Sequence, residues 1–397
     1  MSEPWLTIVG MGEDGPDGLP PASRAALDAA EVIVAPPRHL SLLPELSAER
    51  VEWPVPFVDG LALLEGFRGR RTVALASGDP FWFGAGSVIA RRLGRAEWRA
   101  IPGPSSFALA AARLAWPLER CTVLGLHAAP LARLRPHLHP GARILCTLRE
   151  GASVEALCET LCDAGFGASR IHALQALGGP REKIREGVAE TFDAAGIAHP
   201  VLAAIEVAGP GEPIPLASGR PDALFANDGQ ITKRPVRALT LSALAPRQGE
   251  RLWDIGGGSG SIAIEWLLAH PTLQAVSVEP RADRAERIAA NAAALGVDRL
   301  QVVHGAAPAA LADLPAPDVV FVGGGLSAEL LDTLVALPKG VRLVINAVTL
   351  ESEAALAAAH AAHGGELLRI ELARAAPIGP KRGWKSSYPV VQWSVTL

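Results

Sequence analysis

Several features that mark particular classes of protein are missing from this sequence. It has no excess of basic residues: the formal net charge is −4 at pH 7, so nothing in the composition favours a polyphosphate backbone and we expect no nucleic-acid partner. No apolar run approaches the roughly 20 residues needed to span a bilayer. The first ten residues lack the basic start and apolar core of a signal peptide. We therefore expect a cytoplasmic protein with no membrane partner.

Cysteine is scarce, and motifs for metal binding are lacking. The four cysteines all lie in the first half and form no CxxC pair. Cys158 and Cys162 are four residues apart, so on a helix they would lie on the same face. They could form a thiol pair or half of a metal site, but we favour the interpretation that they are reduced cysteines in the core. Three histidines could be metal ligands: His127, His137 and His139. Because the sequence contains no H-E-x-x-H motif, we favour the interpretation that they are ordinary loop histidines. The sequence predicts no metal site.

The length and the distribution of proline and glycine predict two domains. Chains of 397 residues are long for one core. Residues 209–222 contain three glycines and four prolines, a composition that fits neither a helix nor a central strand. The sequence therefore predicts a first domain over 1–210, a linker over 211–224 and a second domain over 225–397.

In the second domain, apolar strands and helices alternate, which predicts a parallel sheet covered on both faces. The tail departs from this pattern. ELLRIELARA and YPVVQWSVTL are joined by APIGPKRGWKSS without a helix, so they should pair antiparallel. The prediction is a Rossmann-like α/β fold with one antiparallel strand at its edge.

A glycine loop follows the first strand of this domain. Asp254-Ile255-Gly256-Gly257-Gly258-Ser259-Gly260 spells D-x-G-x-G-x-G, and Ser261 stands where a dinucleotide fingerprint would have Gly or Ala. At about 4 Å, an acid at the mouth of the loop would repel a pyrophosphate by roughly 4 kcal/mol, whereas an ammonium and a sulfonium would be attracted. Glu279 closes the next strand, where a carboxylate accepts ribose hydroxyls. The pattern favours S-adenosylmethionine over NAD.

Residues 225–397 resemble the class I S-adenosylmethionine-dependent methyltransferases. DGQITKRPVR, DIGGGSG, VFVGGG and INAVTLES resemble more narrowly the decarboxylating precorrin C15-methyltransferase module of cobalamin synthesis. This family commonly has an acid after the glycine of VHGAAP, whereas this chain has Ala306 and must hold adenine without that carboxylate. The resemblance implies that the methyl donor contacts Thr232, Gly256, Gly257, Gly258, Ser259, Gly260, Glu279 and Ala307.

The first half carries a different set of motifs. Gly78-Asp79-Pro80 is a turn with a fixed carboxylate, because proline restricts the residue before it. Ser105 and Ser106 follow Pro102-Gly103-Pro104 and can cap the alanine-rich helix after them. Together with Gly-Met-Gly at 10–12, these stretches resemble the tetrapyrrole methylase family, whose fold has two α/β subdomains.

That second resemblance covers about residues 1–210. TLREGASVEALCETLCDAGFG and ALQALGGPREKIREG narrow it to the C5-methylating member of the cobalamin pathway. The family's S-L-H-G stretch is Gly125-Leu126-His127-Ala128 here. The resemblance implies a donor site in the cleft between the subdomains, involving Gly78, Asp79, Pro80, Ser105 and Ser106.

The two resemblances, in this order, imply a bifunctional enzyme of cobalamin biosynthesis. It would methylate C5 and C15 of a precorrin-6B-type tetrapyrrole and remove CO2 from its ring C acetate, with the first domain acting at C5 and the second at C15. They imply one S-adenosylmethionine per domain, two per chain, and we expect a homo-oligomer. Attack of an electron-rich carbon on a sulfonium methyl needs in-line placement more than a strong base, so no catalytic residue is nominated.

Two alternatives remain open, and one substrate site is suggested. The first is an NAD-linked oxidoreductase with an accessory domain. Asp254 argues against it because its charge would repel a pyrophosphate, and the sequence has no catalytic His or Tyr motif of that class. A non-catalytic S-adenosylmethionine sensor would not need two intact donor loops. Because corrin precursors carry many carboxylates, the last inter-strand connection is a candidate substrate site, with cations beside an aromatic ring (Lys381, Arg382, Lys385 and Trp384). A solvated hairpin tip is the alternative.

Overall fold

The computed structural model describes residues 3–397, which form two compact units. The first comprises the chain up to Leu131 together with His137–Glu212, and the second comprises Ala132–Pro136 together with Pro213–Leu397. Within the described residues, none of the helices has the length and apolar character that a bilayer-spanning helix requires. No group of three His, Cys, Asp or Glu side chains in this part of the chain is arranged to hold a metal ion.

The first unit begins with a five-stranded parallel sheet of order β3-β2-β4-β1-β5. Its central strands are continuous buried apolar runs, because helices cover both faces. The strands are β1 (Leu6–Met11), β2 (Val32–Ala35), β3 (Glu49–Glu52), β4 (Thr72–Ser77) and β5 (Trp98–Ile101), and the helices are α1 (Pro21–Asp28), α2 (Pro37–Leu42), α3 (Asp59–Glu65) and α4 (Gly86–Arg92).

A second five-stranded sheet completes the first unit, with order β6-β7-β10-β8-β9. Only β6 and β7 pair in parallel among these strands of the described chain; the other pairs are antiparallel. The elements are α5 (Ser106–Leu114), β6 (Cys121–Gly125), β7 (Arg143–Leu148), α6 (Ser153–Asp163), β8 (Arg170–Gln175), β9 (Lys183–Val188) and β10 (Val201–Glu206). Ser105 caps α5 as predicted, since its side chain accepts a 3.1 Å hydrogen bond from the Ala108 amide.

The second unit is built on a seven-stranded sheet of order β13-β12-β11-β14-β15-β19-β16, with a separate β17-β18 hairpin. Its strands are β11 (Arg251–Ile255), β12 (Gln274–Glu279), β13 (Gln301–His304), β14 (Val319–Val322), β15 (Arg342–Ala347), β16 (Glu366–Ile370), β17 (Ala373–Ile378), β18 (Lys381–Ser386) and β19 (Val390–Thr396). Its helices are α7 (Arg234–Leu244), α8 (Ser261–Ala269), α9 (Ala282–Ala294), α10 (Ala328–Val335) and α11 (Leu350–His363).

The α/β prediction is confirmed, with one correction to the order of the strands. A single reversed strand is present, but it does not lie at the edge. β19 inserts between β15 and β16 and pairs antiparallel with both, so β16 takes the edge. The physical reason is burial. β19 carries the fully buried Trp393 and the buried Val391 and Val395, whereas β16 is exposed over four of its five residues.

The proline- and glycine-rich segment is held firmly where it enters the second unit. Ile214 is buried in the core of that unit. The amides of Gly219 and Arg220 donate to the carboxylate of Glu265 at 2.8 and 2.9 Å. The same carboxylate accepts a 2.6 Å hydrogen bond from Arg237 Nε, and all three charged side chains are buried. The later part of the segment is therefore anchored by a buried ionic network.

Candidate active sites

The glycine loop of the second unit forms the turn between β11 and α8. Gly256 and Gly258 have φ of +72° and +59°, a backbone region that a residue with a Cβ rarely adopts. A Cβ on Gly256 would also lie 2.7 Å from the Gly324 carbonyl oxygen, in the loop after β14. Glycine is thus required both by conformation and by the close approach of a second glycine loop.

Glu279 ends β12 beside this loop. Its Oε2 accepts a 2.8 Å hydrogen bond from the Gly258 amide, and its Oε1 accepts one of 3.2 Å from the Arg281 amide. The side chain is 2% exposed, yet it lines the adjacent cavity. Because an ionised carboxylate offers about four acceptor positions, two remain for a ligand. This geometry suits a pair of neighbouring hydroxyl groups.

A cavity of about 610 Å³ opens at this end of the sheet. Most of the predicted donor-binding residues lie along it: Thr232, Gly256, Gly257, Gly258, Glu279 and Ala307. The other two do not line it. Ser259 is buried, with its carbonyl oxygen accepting from Asn291 Nδ2 at 2.9 Å, and Gly260 is the N-cap of α8. These two positions shape the loop from behind.

The role given to Asp254 in the sequence argument was wrong. Its side chain is 1% exposed and does not line the cavity, so it places no charge at the mouth of the loop. Ser277 Oγ donates to it at 3.2 Å, and burial raises the pKa of Asp254 to about 7. Glu279, not Asp254, is the acid that a ligand in this cavity meets.

The predicted substrate site also differs in the structure. The supposed connection is the β17-β18 hairpin, and none of its four predicted residues lines the cavity. Successive side chains of a strand point to opposite faces of a sheet. Lys381 and Lys385 therefore project from one face of β18, and Arg382 and Trp384 project from the other. Lys385 pairs directly with Arg374, which does line the cavity.

Sequence reasoning missed several residues at the mouth of this cavity. Arg374 and Tyr388 line it, and Tyr388 is 89% exposed. Asn346 also lines it and is fixed from behind, because its Nδ2 donates to Thr240 Oγ1 at 3.0 Å and its Oδ1 accepts from Gln392 at 2.9 Å. Only the INAVTLES stretch pointed to Asn346, and no local signal singled out the other two.

The first unit contains a cavity of about 420 Å³, lined by residues from both of its sheets. Gly78, Asp79, Ser105 and Ser106 line it, as the predicted donor site requires. Pro80 does not: it is buried, and its carbonyl oxygen accepts from the Gly86 amide at 2.9 Å. Its role is to hold the turn that follows Asp79.

Close backbone packing builds this donor loop. A Cβ on Gly10 would lie 1.8 Å from the Gly78 carbonyl oxygen and 2.5 Å from the Gly103 amide nitrogen. The end of β1 and the loops after β4 and β5 therefore meet with no room for a side chain at Gly10. This explains the first glycine of the Gly-Met-Gly motif; the second, Gly12, lines the cavity.

An ionic cluster at the cavity wall was not predicted from the sequence. The buried Glu13 pairs with Arg38 and, at 2.9 Å, with Arg181. Arg38 also donates to Ser77 Oγ at 2.9 Å and contacts His39 Nε2 at 3.1 Å. Burial and then the Arg38 charge lower the pKa of His39 to about 3, so this imidazole is neutral. Arg38 and Glu13 both line the cavity, so this ionic cluster forms part of its wall.

The altered family stretch in this unit lies at the cavity as well. His127 lines it, with Nδ1 2.9 Å from Thr147 Oγ1. Burial, followed by the charge of Arg149, lowers the pKa of His127 and favours its neutral form near pH 7. A neutral imidazole paired to a hydroxyl orients and binds a ligand without adding charge.

Comparison with known proteins defines the class. Residues 5–193 match the sequence model of the family "Tetrapyrrole (Corrin/Porphyrin) Methylases". Residues 223–397 match the sequence model of the family "Precorrin methyltransferase domain". The chain thus joins two methyltransferase domains of different families. This outcome favours the predicted methyltransferase over the oxidoreductase.

Relatives make the family specific. The precorrin-6Y C(5,15)-methyltransferase (decarboxylating) of Sinorhizobium sp is 51% identical over 99% of this chain and 96% of its own length. The protein of the same name from Mycobacterium tuberculosis (strain ATCC 25618 / H37Rv) is 41% identical over 98% of this chain and 99% of its own length. This chain belongs to the precorrin-6Y C(5,15)-methyltransferase (decarboxylating) family.

Solved structures are similar to parts of the chain. One of them is the C-terminal domain of precorrin-6Y C5,15-methyltransferase from Rhodobacter capsulatus, 56% identical, covering 46% of this chain and all of that chain, with a TM-score of 0.45. Membership of a methyltransferase family implies S-adenosylmethionine as the methyl donor, and the family name fits a tetrapyrrole precursor as substrate.

Proposed function

We propose that this chain transfers methyl groups from S-adenosylmethionine to C5 and C15 of a precorrin-6B-type tetrapyrrole and decarboxylates the ring C acetate, in cobalamin biosynthesis. The observation that carries this proposal is the 51% identity to the Sinorhizobium relative across nearly the whole of both chains. Both domains are included in that match, so both reactions in the relative's name are proposed for this chain.

The proposal assigns one methylation to each domain, with domain bounds of 1–210 and 225–397. A relative from Salmonella typhimurium, named cobalt-precorrin-6B C(15)-methyltransferase (decarboxylating), matches only 43% of this chain over 91% of its own length. C15 methylation and decarboxylation are thus combined there in a protein about half as long as this chain. We assign them to the second domain and C5 methylation to the first.

Two donor sites per chain follow from the same proposal. Each unit has its own cavity beside a glycine loop, and volumes of about 420 and 610 Å³ lie in the range of small-molecule sites. In the second cavity, Glu279 would accept the ribose hydroxyls and the amides of the glycine loop would face the donor carboxylate. In the first, Gly78 and Ser105 are the counterparts that the family resemblance implies.

For the substrate of the second domain, we propose the face of the hairpin that carries Arg374, Lys381 and Lys385. Arg374 lines the cavity and pairs with Lys385 across the hairpin. Lys381 lies on the same face of β18 as Lys385, so the row of cations extends from the cavity along the hairpin. Substrate carboxylates would pair with these cations while the macrocycle lies against Tyr388, which is exposed at the cavity mouth.

The two faces of the hairpin provide matched variants. Lys381→Ala with Lys385→Ala should raise the substrate KM for C15 methylation by roughly three- to tenfold at low salt and weaken its salt dependence. Arg382→Ala with Trp384→Ala should leave KM nearly unchanged, since both residues lie on the other face. Equal effects of the two double variants would refute this assignment.

The overall reaction is tested by mass spectrometry. The full chain, incubated with S-adenosylmethionine and the tetrapyrrole, should give a product with two added methyl groups and without one carboxyl group. A ¹³C-methyl donor and NMR would identify the two carbons. A product with neither methyl group would overturn the proposed function.

A further inference from the structure

Three exposed aromatic residues lie at the cavity of the first unit. Phe57, Trp82 and Phe83 all line it, and they are 41%, 42% and 50% exposed. Large apolar side chains normally lose solvent contact on folding, so a group of them beside a cavity indicates a ligand surface. We call these three residues the aromatic lip.

Each ring of the lip rests against a buried ring. Trp82 and Phe83 both lie 5.9 Å from Phe107 between ring centroids. Phe57 stacks on Trp53 at 4.7 Å, and the Trp53 indole donates to the Phe57 carbonyl oxygen at 2.9 Å. The exposed rings are thus held in place before any ligand arrives.

The backbone at the lip is strained. Phe83 has φ of +56°, a left-handed conformation that is a clear outlier for a bulky side chain. Such strain persists only where the surroundings enforce it, and it concentrates at binding and catalytic sites. Half of the Phe83 side chain remains exposed, so burial of this ring in the core does not explain the strain.

The lip is also tied to the proposed donor loop. The Asp79 carboxylate accepts a 2.8 Å hydrogen bond from the Phe81 amide, and the Trp82 amide donates to the Asp79 carbonyl oxygen at 3.2 Å. One turn therefore carries both the donor-loop acid and two rings of the lip. A ligand on those rings would lie next to the methyl donor.

We propose that the aromatic lip binds the flat, conjugated face of the tetrapyrrole and presents it to the donor for C5 methylation. This inference rests on the proposed function and specifies the surface of the first domain that recognises the substrate. Flat rings with a π-system suit a conjugated macrocycle, because offset stacking adds to the burial of apolar surface. Arg38, in the same cavity, offers a cation to a peripheral carboxylate.

The tripeptide Phe81-Trp82-Phe83 contains its own control. Phe81 is 45% exposed, like its neighbours, but it does not line the cavity and instead packs against Trp98 at 5.5 Å. In the full chain, Trp82→Ala with Phe83→Ala should raise the substrate KM for C5 methylation by about tenfold or more. Phe81→Ala should change it by less than about twofold.

Further measurements separate this inference from other roles. Calorimetry should give an unchanged donor Kd for the double variant, and the KM for C15 methylation should stay constant. Phe83→Gly should raise the C5 KM without lowering the thermal midpoint, because glycine accepts φ of +56° freely. A lower midpoint in that variant would instead indicate a structural ring.

The inference is overturned if the double variant keeps the wild-type KM, if Phe81→Ala has the same effect, or if donor affinity falls with substrate affinity. A wild-type chain that transfers no methyl group would overturn the proposed function instead. In that case the affinity for the tetrapyrrole can still be measured by quenching of tryptophan fluorescence. A lower affinity in Phe83→Ala but not in Phe81→Ala supports the inference. Equal affinities in the two variants overturn it.

Discussion

Replacing Glu279 should weaken only one of the two donor sites. Its carboxylate already accepts from the amides of Gly258 and Arg281, and two acceptor positions remain toward the cavity. A hydrogen bond to a charged group contributes about 1.5–3 kcal/mol, so Glu279→Ala should weaken donor binding by roughly 10- to 150-fold. Glu279→Gln keeps one acceptor oxygen for the loop, and we expect a loss of about tenfold at the lower end of that range.

Isothermal titration calorimetry of the full chain with S-adenosylmethionine measures this directly. Wild type should bind two equivalents, and the Glu279 variants should retain one site of unchanged affinity. Asp254→Asn is the matched control, because this acid lies one residue before the end of the neighbouring strand β11 but does not line the cavity. C15 methylation at limiting donor should fall in parallel with affinity, while C5 methylation persists. If Glu279→Ala binds two equivalents with wild-type affinities, Glu279 has no part in the site.

Three further predictions concern stability and the first donor site. Glu265→Ala removes the buried carboxylate that pairs with both Arg237 and Arg220 and should destabilise the second unit by about 3–5 kcal/mol. Hydrogen exchange of the amides in that unit should become faster, and unchanged exchange rates would contradict the network. Burial raises the pKa of Asp254 to about 7, so stability attributable to it is highest below its ordinary pKa and declines up to about pH 7. Asp254→Asn mimics the protonated acid, so urea titrations at several pH values should show a decline in unfolding free energy that is smaller by up to about 4 kcal/mol. The same pH dependence in the variant and the wild type would rule out Asp254 as the cause. Gly10→Ala should abolish the first donor site through its backbone clash and leave the second, which calorimetry would register as one remaining equivalent.

Local sequence was sufficient for the features that a short stretch of chain controls. The glycines of the β11–α8 loop were identified from their spacing after an apolar strand, and Gly256, Gly258 and Gly260 adopt the positive φ that this turn needs. The Ser105 cap follows from the same kind of local preference. The alternation of strands and helices predicted the α/β fold, since apolar strands in this order are buried in a parallel sheet.

Tertiary structure decided which of several neighbouring polar side chains reach the cavities. Asp254 is the penultimate residue of β11 and Glu279 is the last residue of the neighbouring β12, but only Glu279 lines the cavity. The direction of each side chain depends on its place in the paired strands. Likewise, the pairing of β17 with β18 places Lys385 beside Arg374 and sends Trp384 to the other face. The insertion of β19 between β15 and β16 follows from burial of Trp393, which the order of elements along the chain does not specify. Glu13 and Arg181 meet although 168 residues separate them, and no local pattern encodes such a contact.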